Sequence, residues 1–75
     1  MLQNITKIDS RIIAESCDDN KVLCTIIANY NTDKKDAGAS FGVENYFSLT
    51  KEQQNIVFTD FMMLLDMITK EADSQ

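Results

Sequence analysis

The run TKEQQNIVFTDFMMLLDMITKEA, residues 50–72, decides the architecture of this 75-residue chain. Thr50 and Gln53 have the spacing of a capping box. In that motif the Thr hydroxyl accepts from the Gln53 backbone N–H, and the Gln53 side chain reaches back to the Thr50 N–H. Glu52 suits the positive end of a helix dipole and Lys70 the negative end. Neither Gly nor Pro interrupts the segment, so it reads as one helix from Lys51 to about Ala72.

This helix carries more apolar surface than a single sheet can use. From Phe58 to Ile68 eight residues are large and apolar, and only Thr59, Asp60 and Asp66 favour water. At about 100° per residue, Val57, Phe61, Leu64, Leu65, Ile68 and Ala72 share one arc, the stripe expected to pack on a sheet. Phe58 and Met62 extend that stripe on one side. Ile56, Met63 and Met67 form the other flank, beyond Asp60. The whole apolar arc spans roughly 260°, whereas a helix lying on one sheet needs little more than about 100°. The flank therefore calls for a cover: a second polypeptide or, within the chain, the N-terminal residues or the loop Asn31–Gly38. Methionine suits irregular, adaptable contacts. Asp60 inside such a contact would require a donor from the partner.

Upstream, the pattern changes to alternation. Ile8, Ile12 and Ala14 alternate with Lys7, Asp9, Arg11 and Glu15. Val22, Cys24, Ile26, Ala28 and Tyr30 share one parity, as do Ala39, Phe41, Val43 and Phe47. Three strands follow, at about 5–16, 22–31 and 39–47, joined by a three-residue turn Asp18-Asp19-Asn20 and by the polar stretch NTDKKDAG, residues 31–38. The fold expected is α+β: a three-stranded antiparallel β-meander with one long C-terminal helix on one face, in a single domain over 1–75.

The helix-side face of that sheet takes Ile8, Ile12, Val22, Ile26, Phe41, Val43 and Phe47. Its opposite face should be polar, yet Ile13, Leu23, Ile27 and Tyr46 point there, enough for a patch of several hundred Å². The candidate partner-binding residues are therefore Ile56, Asp60, Met63 and Met67 on the helix with Ile13, Leu23, Ile27 and Tyr46 on the sheet. A twofold homodimer is the commonest way to cover such surface.

Catalytic chemistry is harder to find. Without His the chain lacks the usual general base, the usual partner of a nucleophile and the commonest zinc ligand. Two cysteines fall short of the four ligands of a structural zinc site. Cys17 neighbours Asp18 and Asp19, which blunt a thiolate, and Cys24 sits among core positions, so both read as free thiols. The stretch Gly38-Ala39-Ser40-Phe41-Gly42 has the wrong spacing for a phosphate loop and no following Lys. Neither a catalytic residue nor a cofactor nor a metal site is assigned.

Twelve acidic residues against seven basic give a net charge of −5, which disfavours direct contact with nucleic acid or anionic membranes and suits a basic protein partner. The N-terminus lacks a signal-peptide layout, and no apolar run reaches the roughly 18–20 residues of a membrane span, so the expected location is cytoplasmic. The function expected is that of a non-catalytic interaction module: a small acidic adaptor or inhibitor, of the kind carried by phages and mobile elements, acting on a larger protein. Two alternatives stand beside it. One is a nucleic-acid mimic occupying the basic groove of a nucleic-acid-handling or CRISPR-type complex; the other is a small-molecule binder or enzyme.

Overall fold

A computed structural model describes residues 1–33, 36 and 38–74. Lys34, Lys35 and Ala37 of the expected loop, and Gln75 of the tail, lie outside the described residues. Four strands, β1 (Leu2–Ile8), β2 (Arg11–Asp18), β3 (Lys21–Tyr30) and β4 (Ala39–Val43), are followed by a short 3-10 turn (Tyr46–Ser48) and one helix, α1 (Lys51–Asp73). The strands pair antiparallel in chain order, and α1 lies across β2 and β3. The α+β class and the order of strands before helix match the expectation; the number of strands is four rather than three.

The additional strand arises because residues 5–16 form a hairpin. Its two-residue turn, Asp9-Ser10, has Asp9 in the left-handed region (φ 53°) and sets Ile8 opposite Arg11. Both turn residues are polar, so they pass as part of the alternation. The reversal places Lys7 beside Ile12, which moves Ile8 from the expected core face to the opposite face, where it is exposed. Further along, Asn4 and Ile5 stand together against Ala14, a bulge in which Asn4 adopts φ 52°. Asn tolerates this conformation better than a branched residue would.

The turn between β2 and β3 corrects a second expectation. It holds two residues, Asp19 and Asn20, with Asp18 opposite Lys21, and the left-handed residue is Asp19 (φ 52°) rather than Asn20. A two-residue turn alone would put the even positions of the two strands on opposite faces. A bulge restores them: Cys17 faces Val22 while Ser16 faces Cys24, leaving Leu23 as the extra residue. Leu23 thereby turns into the core and Val22 to solvent, the reverse of the expected assignment.

The core consists of Ile12, Leu23, Cys24, Ile26, Ala28 and Tyr30 from the sheet against Val57, Leu64 and Ile68 of α1. Both halves of the capping box form: Thr50 N–H donates to Gln53 Oε1 at 2.9 Å, and Gln53 N–H donates to Thr50 Oγ1 at 3.2 Å. The buried line of the helix is Val57, Asp60, Leu64 and Ile68. It is rotated roughly 45° round the wheel from the expected stripe. Phe61, Leu65 and Ala72 are consequently only half-buried, and Phe58 and Met62 are exposed.

Candidate interaction surface

On the β1 side of α1 the contacts are polar and internal. Asp60 is 2% exposed, and its Oδ2 accepts from the Ser16 hydroxyl at 2.6 Å and from the Met1 ammonium at 2.9 Å. The same ammonium donates to the Cys17 carbonyl oxygen at 2.6 Å, and Cys17 N–H donates to the Met1 carbonyl oxygen at 3.1 Å. Asp60 was expected to await a donor from a partner; the chain's own first residue supplies it. Ile56 is half-buried and packs on the core, so the N-terminal segment and the core cover part of this flank. Met63 and Met67 remain uncovered, at 52% and 41% exposed.

A second polar contact lies nearer the helix C-terminus. Glu71 Oε1 accepts from Lys7 Nζ at 2.5 Å, and its Oε2 accepts from the Tyr30 hydroxyl at 2.9 Å. The hydrogen bond from Lys7, then that from Tyr30, holds the Glu71 carboxyl below its ordinary value. Lys7 is raised in turn, chiefly by its bond to Glu71. Tyr30 is raised first by burial and then by its bond to Glu71.

On the β4 side the surface is apolar and open. After Val43 the strand ends as Asn45 turns into the left-handed region (φ 61°), and the chain winds into the Tyr46–Ser48 turn. Ser48 Oγ donates to the Asn45 carbonyl oxygen at 2.7 Å, and Gln54 Nε2 donates to the Tyr46 carbonyl oxygen at 3.2 Å, which ties the turn to α1. Tyr46 therefore does not lie on the open face of the sheet. It lines a cleft of about 280 Å³ on the helix side, with Val43, Phe47, Val57, Phe58 and Phe61. Phe61 meets Phe41 edge-on at 4.8 Å, and Phe47 meets Tyr46 edge-on at 5.5 Å. Phe47 is nonetheless 94% exposed and Phe58 58%. The sequence pattern places both against the intramolecular core. The signals against that were local: Glu44-Asn45 breaks the strand alternation, and Phe58 lies at the edge of the helical arc.

The face of the sheet away from α1 holds part of the expected patch. Ile13 and Ile27 are cross-strand partners, continued by Thr6 on one side and Gly42 on the other. A side chain built at Gly42 would meet nothing within 4 Å. Ile13 and Ile27 are half-buried, and Ile8 and Val22 are exposed. Leu23 is absent from this face because the bulge turns it inward. Of the eight expected residues, Met63 and Met67 are exposed, Ile13, Ile27, Ile56 and Tyr46 are half-buried, and Leu23 and Asp60 are buried.

Cys17 and Cys24 are both free and both buried, Cys17 near the end of β2 and Cys24 in β3. Burial raises each thiol above its ordinary value, which leaves little thiolate at neutral pH. Among the described residues no three metal-ligating side chains converge, and no helix is long and apolar enough to cross a membrane. No protein-family model, curated protein or solved structure matches the chain.

Proposed function

We propose that the chain is a non-catalytic protein-interaction module, and that its docking surface is the cleft between β4 and the N-terminal half of α1. The observation that carries this reading is the exposure of Phe47 and Phe58 beside an already apolar cleft. Two aromatic side chains left in water represent unused apolar burial, which contact with another protein recovers. Aromatic anchors seated in apolar pockets are the usual centres of binding energy.

The first occupant proposed is a second copy of the chain. With a net charge of −5 two copies repel one another, except where they meet through uncharged surface. All six residues lining the cleft are uncharged, as is every residue of the adjoining edge strand β4. A twofold contact would bring each Phe47–Phe58 pair against its symmetry mate. The two rings offer about 200–350 Å² per protomer. That falls short of the roughly 800 Å² per partner of a standard interface, so the association expected is weak. As an adaptor or inhibitor, such a dimer keeps the Met63–Met67 ridge and the Ile13–Ile27 face free for a larger protein.

Sedimentation equilibrium across a concentration series tests the reading. The wild type is expected to dimerise reversibly, and a Phe47→Ser, Phe58→Ser double variant to remain a folded monomer. A wild type that stays monomeric at high concentration refutes self-association. A double variant that dimerises as well as the wild type moves the contact away from this cleft.

A further inference from the structure

The two edges of the sheet are built differently, and we infer that β4 is a self-pairing edge. Two copies join β4 to β4, antiparallel about a twofold axis, into one continuous sheet. This rests on the self-association proposed above and assigns its main-chain contact. β1, one edge of the sheet, carries the bulge at Asn4 and Ile5 and the charge of Lys7, features that discourage a strand from adding there. β4, the other edge, has neither. Its pairing with β3 runs without a register shift, and Ala39–Val43 holds no charged residue and no proline.

Which groups β4 offers follows from its bonds to β3. Asn31 N–H donates to the Gly38 carbonyl oxygen at 3.3 Å, and Glu44 N–H donates to the Thr25 carbonyl oxygen at 3.1 Å. Hydrogen-bonded and non-hydrogen-bonded pairs alternate along an antiparallel ladder, so the even-numbered residues of β4 bond to β3. The backbone N–H and C=O groups of Ala39, Phe41 and Val43 therefore point the other way, off the edge of the sheet. Among the described residues no strand lies beyond them, and α1 lies across β2 and β3.

These groups match their own twofold copy. With Phe41 on the axis, Phe41 exchanges both bonds with the partner's Phe41, and Ala39 exchanges both with the partner's Val43. Moving the axis to Ser40 or Gly42 sets one outward residue of each strand beyond the pairing. On the helix side, Phe41 stands beside its mate and extends the edge-on contact with Phe61, a residue of the aromatic cleft. Cross-strand aromatic pairs of this kind stabilise a sheet. On the other face Ser40 stands opposite the partner's Gly42, which leaves open space. Neither strand brings a charge to the contact, so the net charge of −5 does not oppose it there. Because the β1 edge discourages addition, the pairing closes at two copies instead of continuing as a fibre. The main-chain bonds supply contact that the aromatic rings alone lack.

Chemical synthesis of the 75-residue chain with a methyl group on the Phe41 backbone nitrogen tests this pairing. The methyl removes an N–H that points away from β3 and leaves every side chain in place. Circular dichroism is expected to show a folded protein. Sedimentation equilibrium is expected to show dimerisation weakened about tenfold or more, since both bonds across the axis are lost. A methylated chain that dimerises as well as the wild type overturns the edge pairing and leaves the Phe47–Phe58 contact standing. A wild type that stays monomeric refutes self-association itself, and the edge pairing with it. Should the methylated chain fail to fold, hydrogen exchange on the wild type decides the matter. Amides of Ala39, Phe41 and Val43 should exchange more slowly where the dimer forms than at dilutions where the monomer dominates, while those of Ser40 and Gly42 change little. Exchange at Ala39, Phe41 and Val43 that is indifferent to dimerisation overturns the inference.

Discussion

Along the β1 side of α1, contacts are made by charged and hydroxyl groups that each find a partner: Asp60 with Ser16 and Met1, Glu71 with Lys7 and Tyr30. Along the β4 side, contacts are made by aromatic rings, and two of these, Phe47 and Phe58, keep most of their surface in water. The difference follows from geometry. A helix about 10 Å across cannot cover four strands spaced about 4.8 Å apart, so both its margins need separate closure. Hydrogen bonds are directional and saturable, and once made they leave nothing for a partner. Apolar contact is non-directional, and what the chain leaves unburied remains available. The polar contacts therefore fix where the helix lies, and the aromatic margin is the one proposed to self-associate, apart from the Met63–Met67 ridge on the other flank.

Substitution of Asp60 tests the polar margin most severely. Asp60→Ala removes the acceptor of the fully buried Ser16 hydroxyl and of the Met1 ammonium. It is expected to cost about 2–4 kcal/mol, a large share of what a domain of this size possesses. Urea denaturation followed by circular dichroism measures the loss. A change below about 0.5 kcal/mol would show that the polar margin does not position the helix.

The apolar margin should behave in the opposite way. Phe58→Ser is expected to leave folding stability within about 0.5 kcal/mol of the wild type, as for other exposed positions. Self-association, by contrast, should weaken by about 1–2 kcal/mol, or roughly tenfold, as for an aromatic anchor. Parallel denaturation and sedimentation measurements separate the two effects. A variant that loses stability as heavily as Asp60→Ala places Phe58 in the folding core and ends the contrast between the margins.

The two margins were unequally legible in the sequence. The capping box could be read because its partners, Thr50 and Gln53, are three residues apart and answer to local geometry. Strand parity located Ile12, Ala14, Cys24, Ile26 and Ala28 in the interior because period-two patterning holds within an uninterrupted stretch of strand. The fourth strand was hidden because Asp9-Ser10 serves equally well as turn and as alternation. Leu23 was misplaced because a bulge of one residue reverses a face, and nothing in KVLC announces the bulge. Asp60 was misread for a different reason: its partners, Met1 and Ser16, lie 59 and 44 residues away in the chain. A long-range polar contact of that kind leaves no periodic trace. Met63, Met67, Ile13 and Ile27 were legible as accessible apolar positions because each exceeds what its own element can bury.

A pH titration of stability sharpens the polar side of the comparison. Glu71 is held below its ordinary 4.5, so its contribution is present above that value and is lost as pH falls through the lower, folded value. Lys7, raised above 10.5, and Tyr30, raised above 10.0, contribute below those values and lose the contribution as pH rises through the folded ones. Cys17 and Cys24, raised above 9.0 by burial, add a loss of the same sign on the alkaline side. Glu71→Gln should thus diminish the acid arm. It should reduce the alkaline arm only in part, because burial is the main cause at Tyr30 and at both thiols. Melting temperatures from pH 2 to 11 check this expectation; an unchanged acid arm in the variant would remove Glu71 from the account.

The smallest expected effect concerns Gly42, on the edge strand beside the apolar margin. Its φ is not in the left-handed region, it pairs regularly with Ile27, and open space stands where a side chain would be. Neither turn geometry nor close packing therefore requires glycine here, contrary to the bulge or tight contact that its place in a strand suggests. Gly42→Thr should stabilise the fold by about 0.5 kcal/mol, through reduced freedom of the unfolded chain and contact with the Ile27 side chain. The side chain would stand on the face away from α1, clear of the Phe47–Phe58 cleft, so self-association through that cleft should be unaffected. If Gly42→Thr raises the melting temperature but abolishes the dimer, copies of the chain meet through the open sheet face around Ile13 and Ile27. The aromatic margin would then be free for a different protein.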